Sequence, residues 1–307
     1  MSAPVGTGAL EHGAGVRRRP VSRTRQLLSD YLELTKPKVQ SLLLLTTIAS
    51  MYIAGDPSPG LVALTCLGGY LSAGGAGAVN HWFDRDIDKL MKRTSTRPIP
   101  AGRVSPAAAL TFGCTLAALS LLELSLTVNP LAAGLSFAGF LGYVFIYTVW
   151  LKRRTPQNIV IGGAAGAMPP LVGWAATRGS VGGTAVILFF IVFFWTPPHF
   201  WALSLLMKEE YAKVGVPMLP VVRGEAETRR QILLYSVLLY AVTQLPFCAG
   251  AMGGVYLIAS LGLGIGFMGL AWVLYRRADR RSALRLYLYS LAYLALLFCA
   301  MVADVHL

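Results

Sequence analysis

Asn80, Asp84 and Asp88 stand at intervals of four in the run Asn80-His81-Trp82-Phe83-Asp84-Arg85-Asp86-Ile87-Asp88, at the end of a long apolar segment. An ionisable group at membrane depth is costly, about 2.5 to 3.5 kcal/mol for an Asp at a helix centre, so it is usually kept for a job. On a helix of about 3.6 residues per turn, steps of four put the three residues on one slowly rotating stripe, about 6 Å apart in rise, with Asp86 on the opposite side. Hard oxygen ligands favour Mg2+, which takes one or two protein carboxylates and completes its shell with water and substrate phosphate. Lys89, Lys92, Arg93 and Arg97 follow at once. Carboxylates for a metal beside cations for phosphate oxygens make a candidate diphosphate site. A hydrated loop of mixed charge is the plainer alternative, ranked second because of the ordered spacing and the membrane boundary.

A second polar loop, Lys208 to Pro217, contains Glu209, Glu210 and Lys213. It falls where the first would recur if the chain were two related halves of four spans plus a ninth, and Thr35-Lys36-Pro37 and Thr155-Pro156 open the halves alike. Related halves would face the two loops across one cytoplasmic cavity, with Glu209 or Glu210 supplying a second metal and Lys213 binding phosphate. A solvated acidic turn explains the loop equally well. Lys152-Arg153-Arg154 reads either as a stop signal at the membrane surface or as further phosphate cations, with Lys152 the best placed of the three. His199 follows Pro197-Pro198, a pair expected to break the hydrogen-bond ladder of its helix, and is a candidate proton carrier, iron ligand or packing group. His81 lies off the stripe and reads as structural.

The elements that must position these groups are membrane spans. The chain has 307 residues, 55% hydrophobic and only 13% charged, and its apolar runs reach the 20 or so residues that cross a bilayer. The expected class is all-α, a polytopic membrane protein with nine spans at about 38–55, 61–82, 105–127, 130–151, 157–177, 181–206, 231–250, 253–275 and 285–304 around a cytoplasm-facing cavity. Of 27 Lys and Arg residues, 26 fall in the N-terminal segment and in the loops after spans two, four, six and eight. Only Arg178 lies on the other side, so the N-terminus and both polar loops are expected in the cytoplasm and the C-terminus outside. The net charge of +13 then reports topology and contact with anionic membrane lipid, and nucleic acid is a poor explanation. Residues 1–22 read as a disordered basic tail, with a transit peptide the lesser alternative, and residues 23–36 as an interfacial helix. Cys66, Cys114, Cys248 and Cys299 are isolated and support neither a disulfide nor a thiolate metal site.

The pattern Asn80-x-x-x-Asp84-x-x-x-Asp88 at the end of the second span resembles the first aspartate-rich motif of the UbiA-like intramembrane prenyltransferases. The stretch from Asn80 through Asp84-Arg85-Asp86-Ile87-Asp88, Met91, Arg93-Thr94 and Arg97-Pro98 to Gly102 is similar to the protohaem farnesyltransferase (haem O synthase) branch. So are the segments Tyr147 to Gly163 with Pro169-Pro170, and Pro198-His199-Phe200 through Glu210-Tyr211 to Val221. The second motif departs from the superfamily's aspartates, offering only Glu209 and Glu210. The resemblance implies one intramembrane prenyltransferase domain over residues 23–307 that transfers a farnesyl group from farnesyl diphosphate to a vinyl group of haem B. It implies Mg2+-dependent use of the diphosphate, for which the residues read above are assigned as Asp84 and Asp88 on Mg2+, Glu209 or Glu210 on a second ion, Asn80 fixing geometry and Arg93, Arg97, Lys152 and Lys213 binding diphosphate; His199, beside Trp195, Phe200 and Trp201, is the candidate haem contact. It further implies the bacterial cytoplasmic membrane, with the mitochondrial inner membrane the alternative, and a haem A synthase or oxidase assembly proteins downstream. A prenyltransferase for an aromatic acid or quinone precursor is the near rival, and an ion-coupled transporter the distant one.

Overall fold

A computed structural model describes residues 22–307, and all regular structure among the described residues is helical. The tail expected over residues 1–22 lies outside this range apart from Ser22, whose hydroxyl caps α1 (Arg23–Leu34) by accepting the Arg25 N–H at 3.3 Å. α2 (Pro37–Ala54) and α3 (Pro59–Phe83) follow, then the short α4 (Arg85–Leu90) and α5 (Pro106–Thr127). α6 (Pro130–Leu141) runs directly into a π-wound segment, Gly142–Leu151. α7 (Asn158–Gly166), α8 (Met168–Arg178) and α9 (Gly183–Leu206) lead to the small α10 (Lys208–Lys213) and α11 (Leu219–Val222). α12 (Gly224–Cys248), α13 (Gly254–Arg277) and α14 (Arg280–His306) complete the bundle.

The starts of α3, α5 and α6 share one device. Ser58, Ser105 and Asn129 each accept the backbone N–H three residues on, and each is followed by a proline whose missing donor costs nothing at the first helical position. Among the described residues eight helices are long and apolar enough to cross a membrane, counting α6 with its π segment and α7 with α8 as single crossings. α2 has 18 residues but carries Lys38 and Gln40 in its first turns and is not among the eight. The expectation of nine spans included it.

Where α3 meets α5 the backbones cross on two glycines. A Cβ on Gly75 would sit 2.6 Å from the Gly113 carbonyl oxygen, and one on Gly113 would sit 2.9 Å from that of Gly75. Small residues at such a crossing let dispersion contacts replace the hydrophobic drive that lipid cannot supply. The largest buried cluster lies among α9, α12, α13 and α14, where Tyr256, Phe267, Tyr293 and Phe298 are fully enclosed. Pro197 and Pro198 withhold two donors from the hydrogen-bond ladder of α9, as expected, yet the helix continues through them to Leu206. Both proline rings are buried in the bundle, where neighbouring helices support the segment.

Candidate active site

The acidic stripe survives a change of helix. α3 ends at Phe83 and α4 starts at Arg85, yet Asp84 N–H still reaches the Asn80 carbonyl (2.9 Å) and Asp88 N–H the Asp84 carbonyl (2.8 Å), so the register of four is kept. Asn80, Asp84 and Asp88 are all buried. Asn80 Nδ2 donates to Asp84 Oδ2 (2.8 Å) and to Thr148 Oγ1 (3.2 Å). Asn80 Oδ1 accepts from Lys36 Nζ at 2.6 Å. Asp84 Oδ2 is also held by the Lys152 ammonium, and Asp88 Oδ2 by Arg97 at 2.7 Å. Asp86 sits apart, as the spacing requires. Both of its oxygens are gripped by Arg153, at 2.6 and 2.7 Å, and the same guanidinium donates to the Phe83 carbonyl at 3.1 Å. Arg153 therefore ties the last residue of α3 to the first turn of α4, across the bend at Asp84.

The π winding explains how the sixth helical segment reaches this cluster. Tyr143 and Lys152 are nine residues apart, which in an α-helix of about 3.6 residues per turn is two and a half turns and puts them on opposite faces. Gly142–Leu151 is wound with bonds spanning five residues, such as Lys152 N–H to the Tyr147 carbonyl (2.8 Å). The slower rotation brings Tyr143, Thr148 and Lys152 to one side. There Tyr143 OH lies 3.4 Å from Lys36 Nζ, Thr148 meets Asn80, and Lys152 meets Asp84. Lys36 itself occupies the left-handed region, with φ of 54°, a conformation that costs a residue with a Cβ about 1–2 kcal/mol. The strain is local to a residue that feeds its ammonium into the cluster.

The charges shape one another. Burial, followed by the neighbouring Arg97 and Lys152 charges, brings Lys36 from its ordinary 10.5 down to about 7. The Arg153 hydrogen bonds draw Asp86 down to about 2, and the same bonds raise Arg153. Arg97, Lys152 and Arg153 thus pair with Asp84, Asp86 and Asp88, and Lys36 beside Asn80 can add a fourth positive charge when an anion binds.

Asp84 Oδ1 is buried and accepts no hydrogen bond; Arg153 Nη2 stands 3.6 Å from it. A buried carboxylate oxygen left open in this way fits a divalent cation, whose hard-oxygen preference it meets. Among the described residues no three His, Cys, Asp or Glu side chains converge on a metal-sized site. Glu209 is exposed, and Glu210 Oε2 instead accepts the Lys92 N–H at 2.8 Å, which fastens α10 to the loop after α4. Arg93 and Lys213 are exposed. His199 lies elsewhere on α9, its Nδ1 2.6 Å from Ser290 Oγ. His81 is buried with both ring nitrogens unpartnered.

Sequence reasoning missed Lys36, Tyr143 and Thr148. It also missed a latch behind the site: Arg103 Nε binds buried Asp30 at 2.8 Å and its Nη1 the Thr96 carbonyl at 3.0 Å, joining α1 to the loop that carries Arg97. In the sequence Lys36 reads only as the end of an interfacial helix and the opening of a repeat.

Residues 43–298 match the model of the UbiA prenyltransferase family. The chain belongs to this family. Within it, the chain is 57% identical over 293 residues to a protoheme IX farnesyltransferase of Chloroflexus aurantiacus, an alignment covering 95% of this chain and 50% of that protein. It is 53% identical to the protoheme IX farnesyltransferase of Symbiobacterium thermophilum, over 91% of this chain and 95% of that one. The chain thus spans about half the length of the first of these relatives and nearly all of the second. Among UbiA-type folds, a solved structure of digeranylgeranylglyceryl phosphate synthase superposes with a TM-score of 0.76 at 21% identity, covering 91% of this chain and 99% of that one. A UbiA homologue from Archaeoglobus fulgidus bound to DMAPP and Mg2+ gives 0.69 at 18% identity, over 89% and 99%. At these identities the likeness concerns the fold.

Proposed function

We propose that this UbiA-family protein transfers the farnesyl group of farnesyl diphosphate to a vinyl group of haem B, giving haem O. The observation that carries the acceptor is the identity of 53% or more, over nine-tenths of the chain, to proteins named protoheme IX farnesyltransferase. The donor is supported by the buried aspartates Asp84 and Asp88 beside Arg97, Lys152 and Arg153, with Lys36 able to gain a charge when an anion binds. Asp84 and Asp88 would hold Mg2+, which when bound draws electron density from the diphosphate oxygens and makes diphosphate a better leaving group.

The chain's own cations do the rest of the electrostatic work. An ammonium has three donors and a guanidinium five, so Lys36, Arg97, Lys152 and Arg153 keep donors for phosphate oxygens beyond those spent on the aspartates. Fixed in place before reaction, they stabilise the charge that develops as the bond between farnesyl C1 and oxygen breaks and its electron pair leaves with diphosphate. The haem vinyl group's terminal carbon then bonds to C1, leaving a cation on the carbon next to the porphyrin. Water adds there and loses a proton, which gives the hydroxyethylfarnesyl substituent. Apolar surroundings keep water from the first cation. The 26 basic residues on one side of the spans favour a site open to the cytoplasmic face of a bacterial inner membrane.

The test is direct. Purified protein with farnesyl diphosphate, Mg2+ and ferrous haem B should yield haem O by mass spectrometry and should leave 4-hydroxybenzoate unmodified. Prenylated 4-hydroxybenzoate without haem O would overturn the acceptor and leave the diphosphate chemistry standing.

A further inference from the structure

His199 sits in a setting built to control one of its two nitrogens. Its ring is stacked between Trp195 (centroids 4.3 Å apart, planes at 18°) and Tyr287 (4.9 Å, 25°), with Phe200 edge-on at 5.1 Å. The sandwich fixes the plane of the imidazole. Trp195 is itself anchored to α14, its Nε1 donating to the Ser290 carbonyl at 2.8 Å.

The proton on the ring can be assigned from the partners. Ser290 Oγ lies 2.6 Å from the Tyr287 carbonyl oxygen, and also 2.6 Å from His199 Nδ1. Two oxygens at that distance repel unless a proton lies between them, and a carbonyl has none to give, so the single serine proton goes to Tyr287. Ser290 Oγ is then left as an acceptor, and Nδ1 must be the ring nitrogen that carries hydrogen. It follows that Nε2 carries the lone pair. Nε2 has no hydrogen-bond partner among the described residues, and it is not among the unpartnered atoms sealed from solvent, although His199 as a whole is only 5% exposed. A hydrogen bond at Nδ1 that fixes the tautomer and raises the basicity of the other nitrogen is the usual support for a metal-ligating histidine.

We infer that Ser290 is a positioning residue that presents His199 Nε2 as the axial ligand of the haem iron, with Trp195 and Tyr287 setting the ring plane and hence the tilt of the porphyrin. The inference rests on haem B being the acceptor. An axial imidazole stands perpendicular to the porphyrin, so the porphyrin plane lies across the two flanking aromatic planes. The haem is then held at its iron while the vinyl edge is left free to react.

The experiment is a titration of the full-length protein in detergent with haem B, read by absorption and, after reduction, by the iron–histidine stretch in resonance Raman spectra. The wild type should show an imidazole-ligated haem. His199→Gly should lose that stretch, and added imidazole should restore it, which a merely misfolded variant would not allow. Ser290→Ala removes the acceptor for Nδ1–H and should weaken haem affinity by about tenfold, a change of about 1.4 kcal/mol. Ser290→Thr, which keeps the hydroxyl, should restore most of it. Binding of farnesyl diphosphate with Mg2+ but no haem, followed by calorimetry, should be unchanged in all three. An unaltered iron–histidine stretch in His199→Gly, together with haem O formation by the wild type, would overturn the inference and spare the proposed reaction. A wild-type protein that binds no haem and makes no haem O would overturn both.

Discussion

Lys152→Met should destabilise the protein chiefly through the carboxylate it leaves behind. Asp84 is 1% exposed, and Lys152 is the cation in direct contact with it. Breaking a buried pair by removing one partner costs about 3–5 kcal/mol, because the surviving charge is left uncompensated. Here Asn80 Nδ2 remains at 2.8 Å and Arg153 Nη2 at 3.6 Å, so the cost belongs at the lower end, about 3 kcal/mol. Asp84→Asn should cost a similar amount, since Lys36, Arg97, Lys152 and Arg153 then repel one another around a poorer set of anions. The double variant removes both charges together and should lose much less than the sum, with a coupling of about 2–3 kcal/mol. Unfolding titrations of the four proteins in mixed detergent and SDS micelles give the cycle. Strict additivity would refute the view that these two side chains neutralise each other in a dry setting.

Lys36 gives a pH dependence. Its pKa is lowered from 10.5 to about 7 in the folded protein, so the unfolded chain binds more protons between those values. Its contribution to stability is therefore full above the unfolded value and is lost as pH falls through about 7. Diphosphate favours the charged form, so binding at about pH 8.5 should take up close to one proton and binding at about pH 6 almost none. Calorimetry in buffers of different ionisation enthalpy reads this directly, and equal uptake by Lys36→Met would exclude the lysine. Asp84→Asn and Asp88→Asn should each lower kcat by about 100- to 1,000-fold, whereas Asp86→Asn, which only loosens the Arg153 tie, should cost about tenfold or less; an equal loss from all three in haem O turnover would remove the distinction between the two faces. Arg103→Ala should raise KM for farnesyl diphosphate several-fold with kcat nearly kept, because it frees the Arg97 loop from α1, and a loss confined to kcat would contradict this. Single cysteines at Ser95 and Ser58, in a background without the native four, should label from opposite faces of intact cells, and labelling of both from outside would sink the inside-facing site.

Much of this protein could be read along the chain because the physics involved is local. Apolar length decides that a segment can cross a bilayer, and a spacing of four decides that Asn80, Asp84 and Asp88 share a face while Asp86 does not. The register of those residues even outlasts the bend at Asp84, since the backbone bonds on either side of it persist. The family was legible for the same reason, being carried by short continuous stretches.

The partners were not legible, because they come from far away. Lys36 reaches Asn80 across 44 residues, Thr148 meets Asn80 across 68, and Ser290 meets His199 across 91. Only packing decides such contacts. The π winding of Gly142–Leu151 is a further case: counted as an α-helix, the sequence puts Tyr143 and Lys152 on opposite sides, and the altered hydrogen-bond span turns them to the same one. Glu210 reads as a metal ligand from its place in two related halves, and the fold gives its Oε2 the Lys92 N–H. Pro197 and Pro198 read as a gap in the hydrogen-bond ladder, and only the packing around both buried rings decides that α9 continues through it. In each case the sequence states what a residue is able to do, and the neighbours that the fold supplies determine which of those capacities is used.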